Sequence, residues 1–263
     1  MIENKKEFKV ISKKNPKSLL PNALTIFGVC LGLSSIKFAI DLHYSMAIIA
    51  IGFAAILDTL DGRVARLIKG TSKVGKELDS LTDVISFGVA PGFVMYFWAL
   101  NEIGKFGWMF VLIYTVCCAL RLARFNLTTI EENESWKINF FEGVPSPAAA
   151  GLVLLPLILS ISELVNLKNY AIISSVAILT TSILMVSKIP TYSLKRIVIP
   201  RNSTIFLLLG IGIYVSLLIF YTFKTLFFTG TIYLALIPVS YFHFRNKSKK
   251  SFISVTDEDE DIL

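Results

Sequence analysis

The stretch Asp58-Thr-Leu-Asp61-Gly62-Arg-Val-Ala65-Arg66, followed after eight residues by Gly75-Lys-Glu-Leu-Asp79-Ser-Leu-Thr-Asp83, decides how this chain folds. Its four aspartates stand at spacings of three, eighteen and four, with apolar, membrane-length sequence on both sides. A carboxylate near hydrocarbon is costly unless it pairs or binds a cation, so acids in this setting mark a functional site. On a helix Asp58 and Asp61 share a face. Gly62 and Ala65 lie on or beside that face and let a backbone or ligand approach closely, and Arg66 is one turn beyond Gly62. A second helix opening near Asp79 brings Asp79 and Asp83 onto one face. Two such helices side by side converge four carboxylates on one point, where they repel one another unless divalent cations neutralise them. All-oxygen ligands, with no Cys or His near them, favour Mg²⁺, Mn²⁺ or Ca²⁺ over zinc. A metal held by carboxylates beside an arginine suits a pyrophosphate.

Composition agrees with a membrane setting. The chain has 263 residues, 54% of them hydrophobic and only 17% charged, against about 25% charged in soluble proteins. The expected fold is therefore all-α, a polytopic membrane helix bundle. A span of the hydrocarbon core needs about 20 apolar residues. By that measure eight segments qualify: roughly 20–40, 44–66, 79–100, 106–125, 147–164, 169–187, 204–223 and 225–243. The first is too long for a signal-peptide core and is expected to stay as an anchor. Cys30, Cys117 and Cys118 fall in apolar segments without metal-ligand spacing and read as small buried hydrophobes.

The net charge of +7 does not imply a nucleic-acid partner, because the charges gather between apolar segments. With the N-terminus in the cytoplasm and eight crossings, all but four of the 26 Lys and Arg residues fall inside, the four being Lys37, Lys105, Lys168 and Lys224. So uneven a split predicts a multi-pass protein of the cell (inner) membrane, with both termini and the acidic cluster cytoplasmic. The expected organisation is a basic cytoplasmic tail over 1–19, a membrane domain over 20–196, an additional helix pair over 197–245 and a cytoplasmic tail over 246–263.

The pattern Asp58-x₂-Asp61-Gly62-x₂-Ala65-Arg66-x₈-Gly75-x₃-Asp79-x₃-Asp83 resembles, at every defined position, the signature of the CDP-alcohol phosphotransferases. Enzymes of that family displace CMP from a CDP-linked lipid or alcohol with a second alcohol. The resemblance implies that Asp58, Asp61 and Asp79 are metal ligands, and that Asp83 is the general base and also touches metal. It implies that Gly62, Ala65 and Gly75 line the cytidine site and that Arg66 faces phosphate. Asn22 and Thr25, in Pro21-Asn22-x₂-Thr25, are then expected to help hold the CDP-lipid. The implied cofactor is Mg²⁺ or Mn²⁺, as two ions, and the implied assembly is a homodimer among membrane lipids.

Four further segments are similar to the serine-accepting branch of the family. They are Phe87-Gly-Val-Ala-Pro91, Arg121-Leu-Ala-Arg124-Phe-Asn126, Gly143-Val-Pro-Ser-Pro147-Ala-Ala-Ala150 and the run from Met185 to Lys195. That similarity implies CDP-diacylglycerol and L-serine as substrates. Val144, Thr82, Pro190 and Thr191 depart from the branch's commoner residues. Arg121 and Arg124, three apart at a helix end, are candidates to grip the serine carboxylate. Two other readings stay open. One keeps the chemistry but takes glycerol 3-phosphate or inositol phosphate as acceptor. The other is a divalent-cation transporter, although such proteins place their sites near the midplane, often with repeats, and no repeat is visible here.

Overall fold

The computed structural model describes residues 19–68, 73–127, 140–165, 168–192 and 203–260. The basic tail before Leu19, Lys69, Lys137 and the stretch holding Lys195, Arg196 and Arg201 lie outside the described residues.

The described chain is a helix bundle carrying one small sheet. In order it runs α1 (Leu19–Ile40), α2 (Tyr44–Leu67), α3 (Lys73–Asp83), a π-helical turn (Val84–Val89), α4 (Ala90–Trp98), a 3₁₀ turn (Leu100–Ile103) and α5 (Lys105–Leu127). Then follow β1 (Phe140–Glu142), α6 (Ser146–Val153), α7 (Leu155–Ile161), α8 (Tyr170–Val186), β2 (Pro190–Tyr192), α9 (Thr204–Phe220) and α10 (Thr222–Glu260).

Every apolar segment expected to span is helical, but the count of eight spans needs qualification. Five stretches are long and apolar enough to cross a bilayer: Leu20–Ile40, Tyr44–Leu67, Val74–Trp98, Lys105–Leu127 and Thr222–Arg245. Helices α8 and α9 have 17 residues each, about 26 Å of rise against a hydrocarbon core of about 30 Å. The segment expected as span five is interrupted at Leu154, between α6 and α7. Pro156, in the first turn of α7, lacks an N–H and disfavours continuation from the preceding helix. The third span also differs from expectation, since its helix begins at Lys73, so Asp79 lies well inside it rather than opening it.

Small residues let the helices close on one another, as is usual where lipid gives no hydrophobic drive between them. Ala39, Ala47, Ala50 and Ala54 are buried in α1 and α2, which pack along their lengths. A Cβ at Gly32 would stand 2.7 Å from Ser86 Oγ and 3.0 Å from Ser86 Cα, so only glycine lets α1 lie this close to the π turn. Phe87, Val94, Met95, Tyr114, Val144, Val153, Leu157, Ile178 and Met185 fill the core. Of the cysteines, Cys118 is buried and Cys117 half-buried, but Cys30 is exposed on α1, contrary to the expectation of burial.

The π turn has an identifiable cause. Pro91 has no N–H to offer the Phe87 carbonyl four residues earlier. The fully buried Tyr114 on α5 donates its hydroxyl to that carbonyl at 2.8 Å. The site-bearing helix is thus fixed to α5 at the turn that follows Asp83. Irregular turns of this kind inside helices are frequent at functional sites.

The two strands pair antiparallel, Phe140 opposite Tyr192 and Glu142 opposite Pro190. Gly143 continues from β1 with φ +72, where a Cβ would meet the Met185 carbonyl at 2.6 Å, so glycine is required on both counts. Thr191 donates its hydroxyl to the Gly143 carbonyl at 2.8 Å. Helix α10 packs on β2 and on α7, and covers this end of the bundle.

Candidate active site

The four aspartates come from α2 and α3, which both pack against α1 and are joined by residues 68–72. One carboxylate oxygen each from Asp58, Asp61 and Asp79 lies within 4.8 Å of the others. Asp83 stands on the side of Asp58, with its carboxyl in hydrogen-bond reach of it. Its Oδ1 is buried and has no hydrogen-bond partner among the described residues. Two carboxyls at that range require a proton or a cation between them.

Asp61 is 4% exposed, the most buried acid of the three gathered carboxylates. Thr25 Oγ1 lies 2.6 Å from Asp61 Oδ2 and 3.0 Å from the Pro21 carbonyl. A hydroxyl has one proton to give, and the shorter bond to the carboxylate is the stronger. Thr25 therefore fixes one Asp61 oxygen and with it the orientation of the carboxylate. Asn22 is half-buried one turn earlier on α1.

The donor set fits a divalent cation. Mg²⁺ holds oxygens at about 2.1 Å, so two opposed ligands lie about 4.2 Å apart, and Ca²⁺ at about 2.4 Å allows about 4.8 Å. Adjacent ligands of an octahedral ion lie closer, at about 3.0 Å, so the three oxygens, gathered within 4.8 Å, converge on one ion by side-chain adjustment. No basic side chain forms a salt bridge to them among the described residues, so the cluster's charge is left for a cation to balance.

Around the acids the remaining expected residues are spread more widely. A Cβ built at Gly62 would meet nothing within 4 Å, so there is open space beside the acids at that point. Ala65 is half-buried one turn on, and Gly75 is half-buried in the first turn of α3. Arg66 is exposed and donates from Nε to the Gly62 carbonyl at 3.0 Å; the structure does not bring it to the carboxylates.

The two arginines of α5 differ. Arg121 is 7% exposed, and its Nη1 donates to Ser146 Oγ at 2.8 Å. Its Nε is buried with no partner among the described residues. The guanidinium interacts electrostatically with Asp83, so it belongs to the same site. Arg124 instead donates from Nη1 to the Val186 carbonyl at 2.8 Å and from Nη2 to the Ser187 carbonyl at 3.3 Å. It holds the C-terminal end of α8, where a cation also complements the helix dipole.

Sequence reasoning quoted Ser146 only as part of a motif, and the structure makes it the partner of Arg121. Tyr114 was missed. Its only signal was the proline at position 91, which leaves a carbonyl needing a donor that spacing cannot name.

An acidic cluster of this kind, between helices long and apolar enough to cross a bilayer, defines a multi-pass membrane protein with a site suited to divalent cations. Comparison with known proteins narrows the class. Residues 18–186 match the model of the CDP-alcohol phosphatidyltransferase family, and the chain belongs to that family. It is 38% identical over 185 residues to a CDP-diacylglycerol–serine O-phosphatidyltransferase of Mycobacterium leprae, covering 70% of this chain and 61% of that protein. It is 45% identical over 145 residues to the one of Helicobacter pylori, covering 55% of this chain and 60% of that protein. A Bacillus subtilis protein of the same name is 33% identical over 177 residues, 67% of this chain and 92% of its own length. The chain thus spans about three fifths of the length of the first two relatives.

Proposed function

We propose that this protein is a phosphatidylserine synthase, transferring the phosphatidyl group of CDP-diacylglycerol to the hydroxyl of L-serine and releasing CMP. The observation that carries the reading is the convergence of Asp58, Asp61 and Asp79 within 4.8 Å, with the unpartnered Asp83 oxygen beside them. The acceptor rests on the relatives' names and on Arg121, a buried guanidinium with a free donor beside Asp83.

In this reading Asp58, Asp61 and Asp79 hold Mg²⁺ or Mn²⁺, as two ions with Asp83 a further ligand. Bound there, the metal neutralises the pyrophosphate oxygens and stabilises departing CMP. The protein's own groups do the rest. Thr25 keeps Asp61 oriented. Asn22, Thr25, Gly62, Ala65, Arg66 and Gly75 form the CDP-lipid side, with the open space at Gly62 admitting the nucleotide and Arg66 turning from its helix carbonyl to phosphate. Asp83 accepts the proton of the serine hydroxyl as that oxygen attacks the phosphatidyl phosphorus and the bond from phosphorus to the CMP oxygen breaks. Arg121 binds the serine carboxylate, while Arg124 holds α8 and contributes indirectly. The site faces the cytoplasm of the inner membrane, and the chain works as a homodimer among lipids. The domain division at residues 19, 196 and 245 goes with this reading.

The test is CMP release by the full chain in detergent, with CDP-diacylglycerol, Mn²⁺ or Mg²⁺, and a panel of L-serine, glycerol 3-phosphate, inositol and inositol phosphate. Release with serine alone is expected. Release with a phosphorylated acceptor and not with serine would replace the acceptor, and cation transport without CMP release would replace the class.

A further inference from the structure

Helix α10 lies beyond residues 18–186, the part matched by the family, yet it closes on the site. Its inward face reads Leu226, Gly230, Tyr233, Ile237 and Ser240, a repeat of alternating four and three residues. Gly230 sets the depth of contact. A Cβ there would come 2.6 Å from Leu155 Cδ2, so the Leu155 side chain of α7 fills the space that Gly230 leaves. One turn further, Tyr233 packs against the core while its hydroxyl is buried with no hydrogen-bond partner among the described residues. Phenol hydroxyls in such places nearly always have a partner.

The neighbours of that hydroxyl say what the partner is. Thr191 is beside it, but the Thr191 proton goes to the Gly143 carbonyl, and its oxygen, which could accept from the phenol, is not in hydrogen-bonding geometry with it. The Arg121 guanidinium interacts electrostatically with both Tyr233 and Asp83. Arg121 Nη1 is committed to Ser146, whereas Nε–H is free. Two buried, unsatisfied donors therefore stand near each other, one from α5 and one from α10, next to the acid in the position of a base. A group left so costs its full desolvation, which a ligand acceptor relieves.

We propose that Tyr233 is an acceptor-binding residue whose hydroxyl, with Arg121 Nε–H, grips the carboxylate of serine. The proposal rests on the serine reading above and extends it to a helix outside the family domain. Two free donors match the two oxygens of a carboxylate, one each. A phosphate dianion carries more charge and a third oxygen, which these two donors alone do not meet. Tyr233 thus makes the terminal helix part of acceptor selection, while the aspartates of α2 and α3 serve any acceptor alike.

Full-length protein and its Tyr233→Phe variant are compared for CMP release, varying serine and CDP-diacylglycerol separately. Tyr233→Phe keeps the ring and its packing and removes only the hydroxyl. The KM for L-serine should rise about tenfold or more, as for a lost hydrogen bond to a charged group, with the KM for CDP-diacylglycerol within twofold of wild type. Ile237→Ala, on the same face but apolar, should show no such split. An unchanged serine KM in Tyr233→Phe overturns the proposal. So does a rise shared equally by both substrates, or a serine-selective rise of the same size in Ile237→Ala, since each marks a packing role. Wild-type protein that makes no CMP with serine would end the serine reading together with this one. Serine-dependent wild type with an unaffected Tyr233→Phe ends this one alone.

Discussion

Thr25 illustrates how one side chain disciplines a cluster of like charges. Its hydroxyl lies 2.6 Å from Asp61 Oδ2, and Asp61 is the most buried of the three gathered acids. Hydrogen bonds to charged groups contribute about 1.5–3 kcal/mol, so Thr25→Val should lower kcat/KM by about ten- to a hundredfold. Thr25→Ser should restore most of it, and a serine variant as poor as valine would point to the methyl group instead. Asp58→Asn, Asp61→Asn and Asp79→Asn should each abolish turnover and weaken Mn²⁺ binding measured by electron paramagnetic resonance. Full activity at unchanged metal dependence in any of them removes that residue from the ligand set. Asp83→Asn should lower turnover by about 10²–10⁴ while CDP-lipid binding, measured by equilibrium titration, largely persists. Loss of the metal in that variant would make Asp83 chiefly a ligand.

Among the elements, the π turn at Val84–Val89 controls where α3 ends and therefore where Asp83 sits. Tyr114→Phe leaves the Phe87 carbonyl buried without its donor and should destabilise the protein by about 1–3 kcal/mol in detergent unfolding. In a Pro91→Ala background the chain regains an N–H, so the same change should cost less, and strict additivity of the two substitutions would exclude this account. At the other side of the turn, Gly32→Val places atoms against Ser86 Oγ and Cα, and Cα is backbone that cannot swing away. Activity should fall with stability there, because moving the π turn moves Asp83. The β1–β2 pair was not legible in the sequence. Each strand has three residues, too few for a two-residue alternation to show, and they lie some fifty positions apart.

For the molecule as a whole, the uneven distribution of Lys and Arg predicts which side each loop faces. In a background with Cys30, Cys117 and Cys118 replaced, an impermeant thiol reagent added outside intact cells should label Asn101→Cys and spare Val74→Cys, both exposed positions. The reverse pattern would invert the protein in the membrane. The sequence by itself determined the helical class, the membrane setting and the family, because these rest on composition, on runs of apolar residues and on a motif whose acids are near one another in the chain. It brought Asp58 and Asp61 onto one helix face by spacing alone, and Asp79 and Asp83 onto another. Only the tertiary structure decided how those faces meet, which three carboxylates gather, and that Thr25 braces one of them. It alone separated Arg121, turned in to Ser146 and Asp83, from Arg124, turned to the end of α8; three residues apart, they look alike in sequence. It alone brought Tyr233 to Arg121 across more than a hundred residues. Local spacing fixes what shares a face of one helix, whereas contacts between helices depend on how side chains and glycines let those helices close, and no short stretch of sequence carries that information.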